Sequence, residues 1–143
     1  MLPVTTIAAV QVVYIVDDDD SVRTGSSRLM RSAGFDPREF ASPETFLREV
    51  RAEPCACILI DITMPAITGL EVQARLADKG IDLPVIAVSA RDDDETRALA
   101  RALGAQFFLS KPVDDRALLD AIDWITGSQR GVSYNLPEAT CCA

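Results

Sequence analysis

The chain has 143 residues, and its 22 acidic side chains outnumber the 14 basic ones, which gives a formal net charge of -8. That length fits one ordinary domain, and the negative charge disfavours nucleic acid and anionic lipid as partners. No apolar run approaches the roughly 18 residues that a membrane span needs, and the first residues lack the basic region of a signal peptide. We therefore expect one soluble, cytoplasmic domain that by itself binds neither nucleic acid nor membrane.

Short apolar runs alternate with helically spaced apolar residues and predict ten elements. In chain order these are a strand at 12–16, a helix at 21–33, a strand at 37–40, a helix at 45–50, a strand at 56–60, a helix at 70–77, a strand at 84–88, a helix at 92–103, a strand at 106–109 and a helix at 115–126. Strict alternation favours a parallel sheet with helices on both faces. Pro37 suits an edge strand, and the other four strands are predicted to be buried.

Cap residues set the predicted ends of the helices. Ser42 is an N-cap residue followed by proline at the first helical position, Asp92 and Glu95 have the spacing of a capping box, and Asp114 caps the last helix. The helix ends are predicted at Gly34, Gly80 and Gly104. The sequence after Gly127 is polar and broken by Gly and Pro. We therefore predict an N-terminal extension at 1–11, a domain at 12–127 and a tail at 128–143.

Four cysteines fall in two pairs, and neither pair has the spacing of a metal site. Cys55 and Cys57 would lie on one side of an extended segment, where cysteine behaves as a small apolar residue. Cys141 and Cys142 lie in the predicted tail. We interpret the first pair as core residues and assign no function to the second.

Polar and charged residues follow four of the predicted buried strands. They are Asp17 and Asp18 after the first, Asp61 after the next, then Ser89 and Lys111. The carboxyl ends of parallel strands share one edge of the sheet, which is where ligands bind in such folds. Three carboxylates in one crevice repel each other unless a cation is present, and oxygen ligands without histidine or thiolate favour Mg²⁺ or a similar ion such as Mn²⁺.

A metal held by carboxylates beside a lysine and a hydroxyl suits a phosphoryl group. Lys111 and the ion would neutralise phosphoryl oxygens, and Ser89 would donate a hydrogen bond to them. Asp61 is the best candidate nucleophile because it stands alone at a strand end, whereas Asp17 and Asp18 are adjacent and can share the cation. Two further aspartates, Asp19 and Asp20, are interpreted as helix N-terminal residues that the helix dipole favours.

Four blocks, VDDDDSVR, DITMPAITGLEV, VIAVSA and FLSKPVD, resemble in order and spacing the signature of the bacterial response-regulator receiver domain of the CheY-like superfamily. They are most similar to FixJ-type receivers, and the resemblance covers about residues 12–127. It implies a flavodoxin-like (βα)5 fold, a doubly wound five-stranded parallel sheet with strand order 2-1-3-4-5. It also implies two-component phosphorelay signalling rather than action on a separate substrate, with self-catalysed phosphorylation and dephosphorylation only.

The resemblance assigns each site residue a role. Asp61 matches the phosphoacceptor, whose donor is a phosphohistidine on a histidine kinase or histidine phosphotransfer protein. Asp17 and Asp18 match the acidic pair that serves Mg²⁺, together with Asp61 and the backbone carbonyl of Thr63. The remaining matches are Ser89 as the switch hydroxyl, Lys111 as the phosphate-binding lysine, Phe108 as the switch aromatic, Met64, Pro65 and Gly69 as the turn after the acceptor, and Pro112 with a cis bond to Lys111.

The predicted output surface is formed by the last two helices and the last strand. Phosphorylation would draw in the Ser89 hydroxyl and open a space into which the Phe108 ring can swing, which would change affinity for a downstream protein or a second copy of the chain. Trp124 lies off the apolar stripe of the last helix, either as a contact residue of that surface or as a half-buried indole.

The sequence departs from FixJ-type regulators in one respect. Such regulators continue into a helix-turn-helix domain, and this chain has nothing comparable after Gly127. We expect either a free-standing receiver whose output is a protein contact, which its own tail sequence favours, or the receiver of a longer transcriptional regulator.

Three other classes of protein fit the sequence less well. A folded but silent pseudo-receiver is disfavoured because every expected site residue is present. An aspartyl phosphatase would have D-x-D-x-T, and a dinucleotide binder would have G-x-G-x-x-G after the first strand. Neither pattern occurs at the expected place.

Overall fold

The structure is a computed structural model that describes residues 11–53, 56–63, 68–91 and 93–130, with the backbone alone for 126–130. Its elements in chain order are β1 (Val12–Val16), α1 (Asp20–Ser32), β2 (Asp36–Phe40), α2 (Pro43–Glu49), β3 (Cys57–Asp61), α3 (Gly69–Asp78), β4 (Val85–Ser89), α4 (Asp94–Ala102), β5 (Ala105–Ser110) and α5 (Asp115–Arg130). Each predicted element is present, with ends that differ by a few residues. No helix in the described ranges is long and apolar enough to cross a membrane.

All four strand pairings are parallel, and the sheet order is β2-β1-β3-β4-β5, as predicted. Val16, the last residue of β1, pairs with Phe40 of β2 and Ile60 of β3, and Asp61 pairs with Val88. The strands therefore end almost level with one another. This register brings the residues that follow β1, β3 and β4 to one edge of the sheet.

The core has two layers, one on each face of the sheet. Along β1 the side chains alternate, with Tyr14 in one layer and Val13 and Ile15 in the other. The layer of Tyr14 contains buried residues of α2, α3 and α4, and the opposite layer contains Met30 of α1 together with residues of α5. Both faces of the sheet are thus covered by helices, which explains why the three central strands, β1, β3 and β4, are apolar up to their last residues.

Two predictions about the end of the domain were wrong. The last strand was expected to be buried, but β5 is the second edge of the sheet, and several of its side chains are partly or fully exposed. The last helix was expected to end near Thr126 and continues to Arg130. A glycine inside a helix costs only about 1 kcal/mol relative to alanine, so Gly127 does not by itself end one.

The predicted caps are largely as expected. Ser42 and Asp114 cap α2 and α5 by accepting the backbone N–H groups of Thr45 and Ala117. The exception is α4, where the N-cap is Asp93, which accepts from the N–H of Thr96. The N-cap was therefore predicted one residue early, so that the third helical position is Thr96 rather than Glu95, and Asp92 itself lies outside the described residues. The glycines at the predicted helix ends, Gly34, Gly80 and Gly104, all have positive φ.

Cys57 is fully buried in the layer that also contains Met30 and Ile122. Burial raises the pKa of its thiol to about 12, so the side chain stays neutral at physiological pH. The interpretation of Cys57 as a small apolar core residue is confirmed. Cys55, Cys141 and Cys142 lie outside the described residues.

Candidate functional site

Three carboxylates meet at the edge of the sheet where β1 and β3 end. Asp17, Asp18 and Asp61 each offer one oxygen, and these oxygens lie within 4.8 Å of one another. Asp17 and Asp61 are buried, with 5% and 4% of their surface exposed, while Asp18 faces solvent. The predicted convergence of the acidic residues is therefore present, and one side of the cluster is open to an incoming group.

Lys111 supplies the positive charge in this cluster. Its Nζ donates to Oδ2 of Asp61 at 3.1 Å and to Oδ2 of Asp17 at 3.3 Å. The backbone positions the side chain, because the N–H of Lys111 donates to the carbonyl of Ser89 at 2.9 Å and its bond to Pro112 is cis, as predicted. The lysine thus joins the ends of β1, β3 and β5 through one ammonium group.

The cluster shifts the pKa of two of its members. Burial raises the pKa of the Asp17 carboxyl; the Asp19 N–H opposes that shift, the negative charge of Asp61 adds to it, and Lys111 again opposes it. Burial acts to lower the pKa of Lys111, but the hydrogen bond and charge attraction of Asp61, with those of Asp17, outweigh it and raise that pKa. Ionisation of Asp17 is therefore costly without a cation, and Lys111 stays charged.

The two carboxylate oxygens of Asp61 have different surroundings. Oδ1 accepts both the backbone N–H and the hydroxyl of Thr63, each at 2.9 Å. Oδ2 faces the Lys111 ammonium. Thr63 was predicted to serve the metal through its carbonyl, which stays a prediction, and the contacts of its amide and hydroxyl were missed. They fix the rotation of the carboxylate, so that each oxygen has one defined environment.

Arg23 is the site residue that the sequence reasoning missed. Its Nη1 donates to the backbone carbonyl of Asp17 at 2.8 Å, and its side chain also pairs with Asp20 and, at 3.6 Å, with Glu39. The sequence gives only one sign of this role, the i,i+3 spacing between Asp20, four positions after the end of β1, and Arg23. Such charge pairs are common on helices, so the sign is weak. Arg23 holds the loop that carries the two leading aspartates.

That loop is also fixed by its own aspartates. The N–H of Asp19 donates to Oδ1 of Asp17 at 2.9 Å, and Asp19 in turn caps α1 by accepting the N–H groups of Ser21 and Val22. The predicted helix N-terminal position of Asp19 and Asp20 is confirmed. The four consecutive aspartates thus have separate tasks, two at the cluster and two at the start of the helix.

Ser89 and Phe108 lie behind the cluster. Ser89 is completely buried, and its Oγ accepts the backbone N–H of Arg91 at 2.9 Å. The Phe108 ring is also buried, and the guanidinium of Arg97 lies over it, 5.0 Å from the ring centre. That this ring swings inward on phosphorylation stays a prediction, and the ring is already largely buried in this structure.

The turn after Asp61 approaches the acceptor strand closely. A Cβ added to Gly69 would lie 2.7 Å from the carbonyl oxygen of Asp61 and 2.8 Å from Cα of Ile62. The N–H of Gly69 also donates to the carbonyl of Ile62 at 3.2 Å. Only glycine fits there. Met64 and Pro65, predicted in the same turn, lie outside the described residues.

Trp124 is an exposed surface residue rather than a half-buried indole, and its role as a contact residue of the output surface stays a prediction. It is 62% exposed, and one edge of it packs against the ring of Phe107, with 5.7 Å between ring centres. Leu99 of α4 and Leu103, the C-cap residue of that helix, are also exposed. Apolar side chains are thus present on both helices that flank β5.

Residues 13–123 match the family model described as the response regulator receiver domain. The chain belongs to this family. Receiver domains are the phosphoacceptor signalling modules of two-component systems, and membership implies a histidine kinase as the general class of partner. The observed strand order and the cluster at the ends of β1, β3 and β5 agree with that assignment.

Two named relatives are similar to this receiver domain. It is 40% identical over 111 residues to the response regulator protein TmoT of Ectopseudomonas mendocina, which covers 78% of this chain and 50% of TmoT. It is 36% identical over 110 residues to the transcriptional regulatory protein FixJ of Azorhizobium caulinodans, covering 77% and 52% of the two chains. The chain thus spans about half the length of these relatives.

A solved structure of a receiver protein is similar to this domain over nearly its whole length. The response regulator receiver protein from Burkholderia phymatum is 36% identical, with a TM-score of 0.69, and the match covers 82% of this chain and 95% of that one. The likeness to FixJ-type receivers read from the four sequence blocks is confirmed.

Proposed function

We propose that this receiver domain accepts a phosphoryl group on Asp61 from a phosphohistidine of a histidine kinase or a histidine phosphotransfer protein, in a reaction that requires Mg²⁺ or Mn²⁺. One observation carries the proposal. The buried carboxylate of Asp61 has one oxygen held by Thr63 and the other 3.1 Å from Lys111, beside two further aspartates. This is a nucleophile of fixed orientation next to a cation that can receive phosphoryl oxygens.

The donor atoms available in the cluster fit a hard divalent cation. The carboxylates of Asp17, Asp18 and Asp61 are oxygen ligands, the chain contains no histidine, and the backbone carbonyl of Thr63 is the proposed fourth protein ligand. When bound, such an ion neutralises the carboxylates and offsets the charge of the incoming phosphoryl group. The exposed position of Asp18 leaves the cation side of the cluster accessible.

The chemistry assigned to the side chains is a direct displacement. An oxygen of Asp61 forms a bond to phosphorus as the bond from phosphorus to the donor imidazole breaks, and the electron pair returns to the imidazole nitrogen. Lys111 exchanges its hydrogen bond with Asp61 for one to a phosphoryl oxygen, and the hydroxyl of Ser89 donates to another. The domain acts on its own aspartate, so its phosphorylation and dephosphorylation are self-catalysed and need no separate substrate.

The proposed output is a protein contact through α4, β5 and α5. Ser89 and Phe108 connect the acceptor to that surface, because both are buried on neighbouring strands and Phe108 pairs with Ala87, two residues before Ser89. The exposed side chains of Leu99, Leu103 and Trp124 offer apolar area on either side of β5. The occupant of this surface is a downstream protein or a second copy of the chain.

Intact-mass spectrometry tests the acceptor. Incubation with Mg²⁺ and acetyl phosphate is expected to add one phosphoryl group to the wild-type chain and none to Asp61→Asn. Asp120→Asn is the matched control, since Asp120 is an exposed carboxylate on α5 and its loss leaves the cluster intact. Unchanged mass gain in Asp61→Asn would show that another residue is the acceptor.

A further inference from the structure

A cavity between α1 and α5 opens at the carboxylate cluster and is part of the site already described. A second cavity, of about 310 Å³, lies at the opposite edge of the sheet, where β4 and β5 begin. It is lined by residues of α3, of the loop before β4 and of the loop before β5, and we call it the amino-edge cavity. Its volume is at the lower end of the range of about 300–1,000 Å³ that is usual for small-molecule sites. The proposed phosphoryl transfer does not use it.

Two helices end at the amino-edge cavity. The connection from α3 to β4 contributes Gly80 and Ile81 to its lining, and the connection from α4 to β5 contributes Leu103 and Gly104. Both glycines have positive φ, the conformation in which helices commonly end. The C-terminal end of a helix carries partial negative charge. Both helices therefore add to a negative potential in the cavity.

Gln73 of α3 has a side chain that is only partly paired. It lines the amino-edge cavity, and only 2% of its surface is exposed. Its Nε2 donates to the backbone carbonyl of Ala100 in α4 at 3.1 Å, which fixes the orientation of the amide. The other polar atom of the amide, Oε1, is buried and has no hydrogen-bond partner in the described part of the chain. A buried acceptor without a donor is costly, so a ligand that brings an N–H to this atom is favoured.

The rest of the lining is apolar or negatively charged. Leu76 and Val85 form apolar walls, and Asp82 is an exposed carboxylate. No basic side chain is among the described residues that line the cavity. Lys79 is next to a lining residue in the sequence, but its Nζ donates to the backbone carbonyl of Leu47 at 2.6 Å. A ligand that fits these surroundings has a positively charged hydrogen-bond donor on a short apolar body.

We propose that the amino-edge cavity binds small organic ammonium ions. The apolar body would lie against Leu76 and Val85, and the ammonium group would donate to Oε1 of Gln73, in the negative field of Asp82 and the two helix ends. An ammonium group has three N–H donors and no acceptor, so it matches a side chain whose unpaired atom is an acceptor. The proposal does not depend on the acceptor role of Asp61, because the two sites lie at opposite edges of the sheet.

An NMR titration of the wild-type chain with phenethylamine, which is protonated at pH 7, tests the site. Saturable shifts at millimolar concentration are expected for the methyl groups of Leu76 and Val85 and for the side-chain amide of Gln73. Phenylpropionate has the same apolar body with a carboxylate in place of the ammonium group, and it is expected to cause no such shifts. Equal shifts from both compounds, or no saturable shift from the amine, would overturn the proposal.

Two variants test the polar contacts. Gln73→Met keeps an unbranched side chain but removes the acceptor, and we expect the affinity for phenethylamine to fall about tenfold or more. Asp82→Asn removes an exposed charge and is expected to weaken binding by about two- to fivefold. Asp120→Asn, which removes an exposed charge from α5, is the matched control and is expected to leave the affinity unchanged. Undiminished affinity in Gln73→Met would show that Oε1 is not the acceptor and would overturn the proposal.

A third variant tests the space itself and leaves Gln73 in place. Ala77 is an exposed residue of α3 that lines the amino-edge cavity, so Ala77→Leu adds bulk there at a position where leucine suits a helix. Binding of phenethylamine is expected to be lost in this variant, and its thermal melt is expected to stay close to that of the wild type. This variant also decides the question if Gln73→Met does not fold. Binding that persists in Ala77→Leu would place the amine elsewhere on the domain.

Discussion

The ammonium nitrogen of Lys111 lies 3.1 Å from Oδ2 of Asp61, although the two residues are 50 positions apart in the sequence. The contact connects the loop after β5 to the end of β3, across β4, which lies between these strands in the sheet. Both partners are largely shielded from water, with Lys111 only 21% exposed. A charge pair in such surroundings is sensitive to the loss of either partner, because the remaining charge stays buried without compensation.

Lys111→Met is therefore expected to destabilise the domain when no divalent cation is added. The variant keeps the apolar stem but leaves Asp17 and Asp61 facing each other, and we expect a loss on the order of 2 kcal/mol in the free energy of unfolding. Urea denaturation monitored by circular dichroism measures it. Lys111→Arg keeps the charge and serves as the control. If Mg²⁺ occupies the cluster, its addition is expected to reduce the deficit of Lys111→Met; a deficit that Mg²⁺ leaves unchanged would argue against a cation at these carboxylates.

Asp17→Asn is expected to have the opposite effect on the metal-free protein. Burial raises the pKa of Asp17, so its ionisation opposes folding, and the amide keeps an oxygen that can accept the Asp19 N–H. We expect a gain on the order of 1 kcal/mol at pH 7, equivalent to roughly 3 °C in Tm. Asp18→Asn is the matched control: Asp18 faces solvent, and its change is expected to be smaller.

The pH dependence of that gain follows from the direction of the shift. A carboxyl whose pKa is raised in the folded state binds its proton more tightly there, so its contribution to stability declines as pH rises from the ordinary value of 3.8 through the folded pKa. The advantage of Asp17→Asn should be full at neutral pH and absent below pH 3.8. Thermal melts across this range test it, and a constant advantage at every pH would show that the effect is not the charge of Asp17.

Two glycines allow a matched test of the turn after the acceptor. Gly69→Ala would push a methyl group into the backbone at Asp61 and Ile62, and we expect it to destabilise by about 1–3 kcal/mol and to slow phosphorylation. Gly25→Ala meets no atom within 4 Å in the middle of a helix and is expected to stabilise by about 0.5–1 kcal/mol. Thermal melts and mass gain from acetyl phosphate measure both variants. Equal stability of Gly69→Ala and the wild type would mean that the turn can move away from β3.

Much of the site could be predicted because the sequence marks the strand ends directly. Val12–Val16 and Val85–Ser89 are uniformly apolar up to the residue at which the polar group begins, so the position of each functional group at the sheet edge follows from alternation and parallel pairing. The partial exposure of β5 was missed although the predicted strand order places β5 at an edge, because its apolar composition resembles that of a central strand.

Contacts between side chains and the backbone could also not be predicted from the sequence. In the sequence, Arg23 is one of several charged residues on an exposed helix, and only the structure shows that it donates to the backbone carbonyl of Asp17. The same holds for the cavity between α1 and α5. Gly25 and Ser26 both line it, but only the structure shows that these two helices make little direct contact there.

The path from the acceptor to the output surface gives the last prediction. The Phe108 ring is buried under the guanidinium of Arg97, so a rearrangement at Ser89 can reach α4 only if this contact changes. Phosphorylation offers new acceptor oxygens to the hydroxyl hydrogen of Ser89, whose oxygen accepts the N–H of Arg91 in this structure. Movement of the hydroxyl toward those oxygens would weaken its contact with Arg91, move the start of the loop before α4 and loosen the cover over Phe108.

Hydrogen exchange with and without phosphoryl transfer tests this path. We expect changed protection in α4, β5 and α5 of the wild type, and much smaller changes in Ser89→Ala, which keeps Asp61 and should still gain one phosphoryl group. Arg97→Met removes a cation–π contact of about 0.5–1 kcal/mol and is expected to raise exchange around Phe108 before phosphorylation. Trp124→Ala is the control, since it alters the surface but not the path to it. Protection changes confined to α1, beside Val22, would place the response on a different face, because the signal would then not pass through Ser89 and Phe108.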